Sequence, residues 1–355
     1  MTRGRVTLRD VALEAGVHLA TVSRALRNDK RLAPATIAKI RATAGRMGYV
    51  PDPMLSGLAA YRSLKGKPSF QSTLAWITNH FTRDGWRKDF DLYYQGASER
   101  AARLGYRLEA FWLRERGMTG KRMTQILRTR NISGLIVAPQ PRTKMRIRLS
   151  WEFFSAVAMG YTLAWPRLHL VTNDQFDAMS QIVRQLRAHG YRRIGLAMHS
   201  RYDARINHGW TGAFLAAREL WPEREQLPIF SYSRFDPELF AQWLRAHRPE
   251  AVVGEGWLGG EIRKLGYDIP GDIGLATYGR PASEEMADYS GADENFVLTG
   301  ARAVDLVVGM IHLGERGIPQ VPQRLLTEGV WRDGTTLRFV HRDAVKPPAR
   351  RRTGK

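Results

Sequence analysis

Several features are missing from this 355-residue sequence, and each absence excludes a class of function. The chain contains no cysteine, which removes disulfide bonds, thiol catalysis and cysteine-ligated zinc together. No uninterrupted apolar run reaches the roughly 18 residues that a membrane-spanning helix needs. The first residues carry no apolar signal segment. We therefore expect a cytoplasmic protein without a membrane partner.

Acidic residues are scarce relative to basic ones. There are 34 Asp and Glu against 55 Lys and Arg, which gives a formal net charge of +21. A surplus of this size attracts polyanions, and nucleic acid is the leading candidate. With 43% hydrophobic residues, the chain can still bury the cores of two or three domains.

Positive charge is densest at the two ends of the chain. Residues 1–67 hold 13 basic and 4 acidic residues, and residues 342–355 hold 6 basic and 1 acidic residue. The composition of residues 342–355, rich in Pro and Arg, predicts a basic disordered tail. This tail either adds nonspecific affinity for DNA or is simply solvated.

The basic N-terminal segment, residues 1–50, also shows helical periodicity. Thr7 and Asp10 form a capping box at the start of an apolar stripe, and Gly16 follows as a helix terminator. A second helix is expected over about 18–26, and a third after Pro34. The apolar positions expected to face inward are Leu8, Val11, Ala12, Ala15, Val22, Ala25, Leu26, Ile37, Ile40, Ala44 and Met47. Short helices joined by a glycine-containing turn are typical of the helix-turn-helix unit.

In that unit the second helix enters the major groove of DNA. Its outward residues here are Leu19, Ala20, Thr21, Ser23 and Arg24. The hydroxyls of Thr21 and Ser23 suit phosphate oxygens, whereas Arg24 has the geometry to contact guanine O6 and N7 together. Leu19 and Ala20 offer apolar contact, for example to thymine methyls. Each residue alone would be an ordinary helix-surface residue, but the ordered pattern favours DNA binding.

Residues 51–71 read as a hinge helix and linker. Asp52 is a good N-cap, and Pro53 suits the first helical position. The helix that they start is too short to be stable alone in water, and it exposes Leu55 and Leu58. A helix of this kind is expected to fold against a partner, such as a DNA minor groove into which a leucine inserts.

From residue 72 to residue 341 the pattern changes to alternating strands and helices. The predicted elements are strands at 73–77, 107–111, 134–137, 194–197, 251–253 and 273–277, and helices at 90–104, 123–129 and 209–220. This alternation predicts an α/β body of two doubly wound lobes with parallel sheets. Ligands of such folds bind at the carboxyl ends of the strands, and the cleft between two lobes is the expected site.

The sequence resembles the LacI/GalR family of bacterial transcription regulators. The motifs that carry the resemblance are Thr7-Leu8-Arg9-Asp10-Val11-Ala12, Ala15-Gly16-Val17, Thr21-Val22-Ser23-Arg24, Gly48-Tyr49-Val50-Pro51, Asn173-Asp174, His189-Gly190-Tyr191-Arg192-Arg193-Ile194, Gly209-Trp210 and Gly266-Tyr267-Asp268-Ile269-Pro270. The resemblance implies an all-α helix-turn-helix head and a periplasmic-binding-protein-like body that binds an effector and forms a homodimer. It also implies that Leu58 inserts at the centre of a pseudo-palindromic double-stranded operator. Thr7, Tyr49 and Leu55 are further expected DNA contacts.

The same resemblance suggests three effector contacts in the body. By it, Phe90 would stack on the ligand, Arg205 would donate hydrogen bonds, and Glu255 would accept them from hydroxyls. The effector would be a small molecule such as a sugar or a related metabolite. The chain also departs from the family pattern, because Arg205 stands four residues before Gly209 where the family has three. Further departures are Gly254-Glu255 in place of an Asn-Asp pair and Tyr278-Gly279-Arg280 in place of a motif that carries acids.

Two other functions remain as alternatives. Gly254, Gly256 and Gly259 match the dinucleotide-binding fingerprint after a predicted strand, and Arg280 could face the extra phosphate of an NADP-dependent oxidoreductase. A solute-binding protein is the second alternative. The histidines show no metal-ligand spacing and no nucleophile elbow is present, so we expect no catalytic residue, metal or cofactor. The sequence favours a sequence-specific transcriptional regulator, a repressor controlled by a small molecule, over an enzyme.

Overall fold

The computed structural model describes residues 8–26, 32–47, 72–280 and 287–340. By their internal contacts the residues fall into two units, one of which ends at Val171 and adds Val297–Leu325. The other comprises Thr172–Phe296 and the residues from Leu326 onward. Within the first unit, residues 8–47 have their own core and are called the N-terminal domain. The rest of that unit is lobe 1, and the second unit is lobe 2.

The N-terminal domain consists of three helices: α1 (Leu8–Ala15), α2 (Leu19–Leu26) and α3 (Pro34–Arg46). Gly16 ends α1 with φ +66°, a left-handed conformation that glycine adopts without steric cost. The buried core residues are Val11, Ala12, Ala15, Val22, Ala25, Ile40 and Ala44. These helices and this core match the sequence prediction, with Leu8, Leu26, Ile37 and Met47 partly buried at the rim. The helix-turn-helix prediction is therefore confirmed.

Lobe 1 is built on a six-stranded sheet in the order β13-β7-β5-β3-β1-β2. Strands β2, β1, β3, β5 and β7 pair in parallel. Its elements are β1 (Ser72–Thr78), α4 (Arg87–Arg103), β2 (Tyr106–Trp112), α5 (Gly120–Thr129), β3 (Gly134–Val137), β4 (Met145–Arg146), β5 (Ser155–Met159), β6 (Leu163–Trp165), β7 (His169–Asn173), α11 (Phe296–Leu313) and β13 (Arg324–Thr327). Helices between parallel strands are what the alternating pattern predicts.

Helices α4 and α11 of lobe 1 approach each other closely at two glycines. A Cβ atom added at Gly96 of α4 would clash with the carbonyl oxygen of Val297, and one added at Gly300 of α11 would clash with that of Tyr93. Arg100 also pairs with Asp305 across the two helices at 2.6 Å. Only residues without a side chain allow this backbone contact.

Helix α11 is long and apolar enough to span a membrane by composition alone, with a mean hydropathy of 1.6. It is not an uninterrupted apolar run, because Arg302 and Asp305 lie within it. Its apolar face packs in lobe 1, where Val307 and Ile311 lie beside Gly134 of β3. Packing on the sheet therefore accounts for the buried part of α11, which is 39% of the helix.

Lobe 2 contains a second six-stranded sheet, ordered β14-β12-β11-β10-β8-β9. All its pairings are parallel except that of β14 with β12. Its elements are α6 (Gln175–Ala188), β8 (Ile194–His199), α7 (Ser200–Arg205), α8 (Gly209–Arg218), β9 (Phe230–Tyr232), α9 (Pro237–His247), β10 (Ala251–Gly254), α10 (Leu258–Lys264), β11 (Gly274–Arg280), β12 (Ser290–Asp293) and β14 (Val330–Arg332). With two such sheets, the prediction of two doubly wound lobes is confirmed.

Candidate functional site

The second helix of the N-terminal domain presents the predicted DNA-reading side chain. Val22 and Ala25 are fully buried and fix α2 against α1 and α3. The carbonyl oxygen of His18 accepts hydrogen bonds from the amides of Thr21 and Val22 at 2.8 and 3.2 Å, which defines the start of α2. On the outer side Arg24 is exposed and Thr21 is half-buried. The guanidinium of Arg24 is therefore available to a partner.

The other predicted DNA contacts are less completely described. Leu19, Ala20 and Ser23 lie within α2, which is the helix predicted to read bases. Thr7, Tyr49, Leu55 and Leu58 fall outside the described residues. The hinge helix and the basic tail also fall outside them. The DNA-contact set thus stays a prediction.

In lobe 1, Phe90 lies in the first turn of α4 near the carboxyl ends of β1 and β3. Its ring contacts that of His80 edge-on at 5.9 Å between centroids. His80 is buried, and its Nε2 lies 3.1 Å from the carbonyl oxygen of Pro139. Trp112 donates its indole N–H to the carbonyl of His80 at 2.9 Å. The half-buried Phe90 therefore packs against the buried His80 ring at the strand ends, where ligands of α/β lobes bind.

In lobe 2, Glu255 directly follows β10 at the carboxyl end of the sheet. Its Oε2 accepts two hydrogen bonds, from the Tyr232 hydroxyl at 2.9 Å and from the Trp257 indole N–H at 3.1 Å. Tyr232 ends β9, which is separated from β10 by β8, and Trp257 immediately precedes α10. Two neutral donors therefore hold the Glu255 carboxylate in place at the sheet edge.

Further aromatic side chains surround this carboxylate. His199, the last residue of β8, stacks on Tyr202 at 4.5 Å and meets Tyr232 edge-on at 5.3 Å. Trp257 meets Phe235 edge-on at 4.7 Å. Tyr202 and Trp257 are about half exposed, at 47% and 46%. The edge of lobe 2 thus presents the half-exposed rings of Tyr202 and Trp257, while Tyr232 beside the carboxylate is buried.

Arg205, the third predicted effector residue, ends α7 and is half-buried. The hydrogen bonds that Glu255 accepts come from Tyr232 and Trp257. Between Arg205 and Gly209 the chain turns through two left-handed residues, Asn207 and His208, with φ of +56° and +59°. This turn accommodates the extra residue that separates this chain from the family spacing.

Asp203 is a buried charged residue of α7 that was not predicted from the sequence. Its Oδ2 lies 2.8 Å from His208 Nδ1, and its Oδ1 accepts the amide of Thr211 at 3.2 Å. A carboxylate beside the start of α8 could have been suspected from the sequence, because acidic groups stabilise helix N-termini. Asp203 therefore fixes the α7–α8 turn.

Glu294 is a second buried carboxyl group that sequence reasoning missed. It is 2% exposed, and its Oε1 accepts hydrogen bonds from the Trp210 indole at 3.0 Å and the Gly279 amide at 3.2 Å. Burial raises the pKa of Glu294 to about 7, although these two hydrogen bonds partly oppose the rise. Asp293 adds a smaller upward contribution. Glu294 is therefore protonated over a wide acidic range.

The glycine fingerprint lies where the sequence analysis placed it, between β10 and α10. A Cβ atom at Gly254 would clash with Leu258, so this glycine is needed for close strand–helix packing. However, the fingerprint also carries Glu255, whose carboxylate lies at the start of α10, where a phosphate would have to bind. Within the described ranges no group of three or more potential metal ligands occurs.

Comparison with known proteins agrees with this architecture. Residues 7–52 match the family model "Bacterial regulatory proteins, lacI family". The chain is 31% identical over 194 residues to the transcriptional regulator PtxS of Pseudomonas plecoglossicida, an alignment over 54% of this chain and 53% of PtxS. It is 26% identical over 296 residues to the regulator GntR of Escherichia coli K12, covering 78% and 83% of the two chains. The chain thus spans about half the length of the PtxS relative that it matches.

Solved structures share the fold of the whole chain. The complex of the transcriptional regulator CelR with cellobiose matches with a TM-score of 0.53 at 20% identity, over 94% of this chain and 100% of CelR. The lac repressor dimer bound to its operator and the anti-inducer ONPF matches with a TM-score of 0.52 at 19% identity, over 94% and 100% of the two chains. At these identities the likeness establishes the fold.

The fold and its sites define a class of protein. A helix-turn-helix domain precedes a body of two doubly wound α/β lobes, each with polar and aromatic side chains at the carboxyl ends of its strands. Within this class, residues 7–52 match the family model of the lacI family of bacterial regulatory proteins. The longer alignments show that the chain is similar to the transcriptional regulators PtxS and GntR.

Proposed function

We propose that this protein is a sequence-specific DNA-binding transcriptional regulator, a repressor, whose affinity for DNA is controlled by a small-molecule effector. The observation that carries the proposal is the three-helix domain, matched to the lacI family model, with Arg24 exposed on its second helix. The chain is expected to act as a homodimer in the bacterial cytoplasm. A two-fold dimer requires a pseudo-palindromic operator.

The chemistry of α2 supports reading of double-stranded DNA. Arg24 can donate two hydrogen bonds to one guanine, and such a bidentate contact discriminates bases by about 1–3 kcal/mol. Thr21 and Ser23 would hold the helix to phosphates, while Leu19 and Ala20 would meet thymine methyl groups. The net charge of +21 adds attraction to the phosphate backbone that does not depend on sequence.

The effector is proposed to bind at the carboxyl ends of the strands. Phe90 in lobe 1 and Arg205 and Glu255 in lobe 2 are the proposed contact residues. CelR, a structural neighbour, forms a complex with cellobiose, and the lac repressor structure holds the anti-inducer ONPF. By analogy with those proteins, the effector here is a small molecule such as a sugar or a related metabolite.

The nicotinamide alternative meets a physical objection. The Glu255 carboxylate lies at the start of α10, and a dinucleotide phosphate placed there would be repelled by a like charge. The relatives by sequence carry the names of transcriptional regulators. A fluorescence titration with NADPH, which we expect to show no saturable change, tests this alternative directly.

The function is tested by selecting bound duplexes from a randomised DNA pool with the full chain at near-physiological salt. We expect a pseudo-palindromic consensus. Arg24→Ala should then weaken binding to that consensus by about 1–3 kcal/mol and relax one base position in each half-site.

A matched variant separates base reading from bulk charge. Arg41→Ala removes one positive charge from the exposed side of α3, which is not the proposed reading helix. We expect Arg41→Ala to weaken binding to all sequences about equally and to leave the consensus unchanged. Recovery of no consensus by the unaltered chain, or equal specificity of Arg24→Ala and the unaltered chain, would contradict the proposal.

A further inference from the structure

The edge of lobe 2 combines features that a neutral ligand does not need. We call the rings of His199, Tyr202, Tyr232 and Trp257, together with the carboxylate of Glu255, the aromatic cage. His199 and Tyr232 end β8 and β9, Tyr202 lies in α7, and Glu255 and Trp257 lie in the segment between β10 and α10. Parallel strands β9, β8 and β10 are adjacent in the sheet, so their carboxyl ends bring the cage together.

Within the described part of the chain, the carboxylate of the cage is held by neutral groups. Its hydrogen bonds come from a phenol and an indole, which are neutral donors, and both end on Oε2. Among the described residues no Lys, Arg or His forms an ion pair with Glu255, although thirteen such pairs occur elsewhere. None of the described residues donates a hydrogen bond to its other oxygen, Oε1. In this part of the chain the carboxylate is therefore held in place without a positively charged partner.

Two tyrosine hydroxyls lie within the electrostatic influence of Glu255. Burial raises the pKa of Tyr232, and the charge of Glu255 raises it further. Burial also raises the pKa of Tyr278, and the charge of Glu255 adds to that rise. The negative charge of Glu255 is therefore felt at both rings.

Ring faces and an unpaired carboxylate together suit one ligand chemistry. A positively charged nitrogen is attracted by the quadrupole of tryptophan and tyrosine faces, and aromatic cages of this kind bind quaternary and methylated ammonium groups. A nearby carboxylate strengthens this attraction. Trp257 is held edge-on to Phe235 and by its indole hydrogen bond to Glu255, so its ring is fixed in place before a ligand arrives.

We propose that the aromatic cage binds an organic cation, and that the effector of this protein carries a positively charged nitrogen at the position that meets Glu255. The identification of this cation as the effector rests on the proposed function. Binding of the cation to lobe 2 does not depend on DNA.

The proposal is tested by calorimetry on the full chain without DNA, with pairs of similar probes of which one is charged and the other neutral. Choline is compared with its neutral isostere 3,3-dimethylbutan-1-ol, and glucosamine is compared with glucose at a pH where the amine is protonated. We expect at least one cation to bind about tenfold or more tightly than its neutral partner. If neither cation exceeds its neutral partner in this way, the proposal is wrong.

Variants locate the binding. Glu255→Gln keeps an acceptor for Tyr232 and Trp257 but removes the charge, and should lower cation affinity about tenfold without changing that of the neutral partner. Trp257→Leu should lower cation affinity similarly. Glu219→Gln, which removes an exposed charge at the end of α8, is the matched control and should have no effect. Equal cation binding by Glu255→Gln and the control would overturn the assignment to the cage.

The DNA assay separates this proposal from the proposed function. If the protein selects an operator and cellobiose or glucose alters its binding while the cations do not bind, the cation proposal fails and the regulator proposal stands. If the cations bind the cage but no operator is selected, the cage is established as a cation site and the regulator proposal fails.

Discussion

The buried carboxyl group of Glu294 should make the stability of lobe 2 depend on pH in an unusual direction. Its pKa is about 7 in the folded chain, against 4.5 for an unperturbed glutamate. The folded state therefore keeps a proton that the unfolded chain has already lost between these two values. The contribution of Glu294 to the free energy of unfolding is greatest below pH 4.5, falls as the pH rises towards 7, and is nearly constant above that.

The magnitude follows from the same two values. One pKa unit corresponds to about 1.4 kcal/mol, so the full loss is on the order of 3 kcal/mol. Between pH 5 and pH 8 the expected loss is about 2.5 kcal/mol, because part of the change has already occurred at pH 5. Glu294→Gln keeps an oxygen that can accept from Trp210 and Gly279 but does not titrate. The variant should lack this loss.

Urea unfolding of the full chain and of Glu294→Gln at several pH values between 5 and 8 measures the difference. Other groups titrate in both proteins, so the comparison of the two isolates the contribution of Glu294. Glu328→Gln, an exposed position in the same lobe, controls for the loss of a carboxylate as such. Parallel stability curves for the unaltered chain and Glu294→Gln would refute the reasoning.

Three further expectations follow from the packing and from the sequence. Gly300→Ala should lower the free energy of unfolding, measured with urea, by about 1–3 kcal/mol, because the added Cβ clashes with the Tyr93 carbonyl. Gly309→Ala on the same helix should not lower it, because a Cβ there meets nothing within 4 Å. Leu58→Ala should reduce operator bending measured by gel mobility, and equal bending would refute the minor-groove role. Deleting the residues after Pro347 should flatten the salt dependence of nonspecific DNA binding, and an unchanged slope would show that the tail makes no contact.

Much of the fold could be predicted because its signals are local. Strand β3 has the predicted bounds Gly134–Val137, and α2 begins one residue after the predicted start. Gly16 adopts the left-handed conformation that its place after α1 implied. Ends of helices were less predictable: α4 begins at Arg87, three residues before the periodic stripe, because Trp86 is buried and fixes the first turn.

The site was harder to predict because it depends on contacts between distant segments. Glu255 was proposed from a family resemblance, but its partners Tyr232 and Trp257 were not. Tyr232 and Glu255 are 23 residues apart in the sequence, and this spacing does not indicate that the hydroxyl reaches the carboxylate. The same holds for Glu294 and Trp210, which are 84 residues apart. One usable signal existed, because His199, Tyr232 and Glu255 each stand at or just after the end of a strand. Residues at strand ends meet at one sheet edge, so listing them would have found the cage.

The proposed function and the proposed cation site place ligands of opposite sign on one chain. Basic residues are densest in residues 1–67 and 342–355, where positive charge would favour binding to phosphates. At the edge of lobe 2 neutral donors position Glu255, and among the described residues no cation pairs with it. A ligand alters DNA binding only as far as it binds one state of the protein more tightly than the other. A carboxylate in a fixed position attracts a cationic ligand more strongly at a shorter distance. If the two states of the protein hold the ligand at different distances from Glu255, the ligand binds one state more tightly than the other.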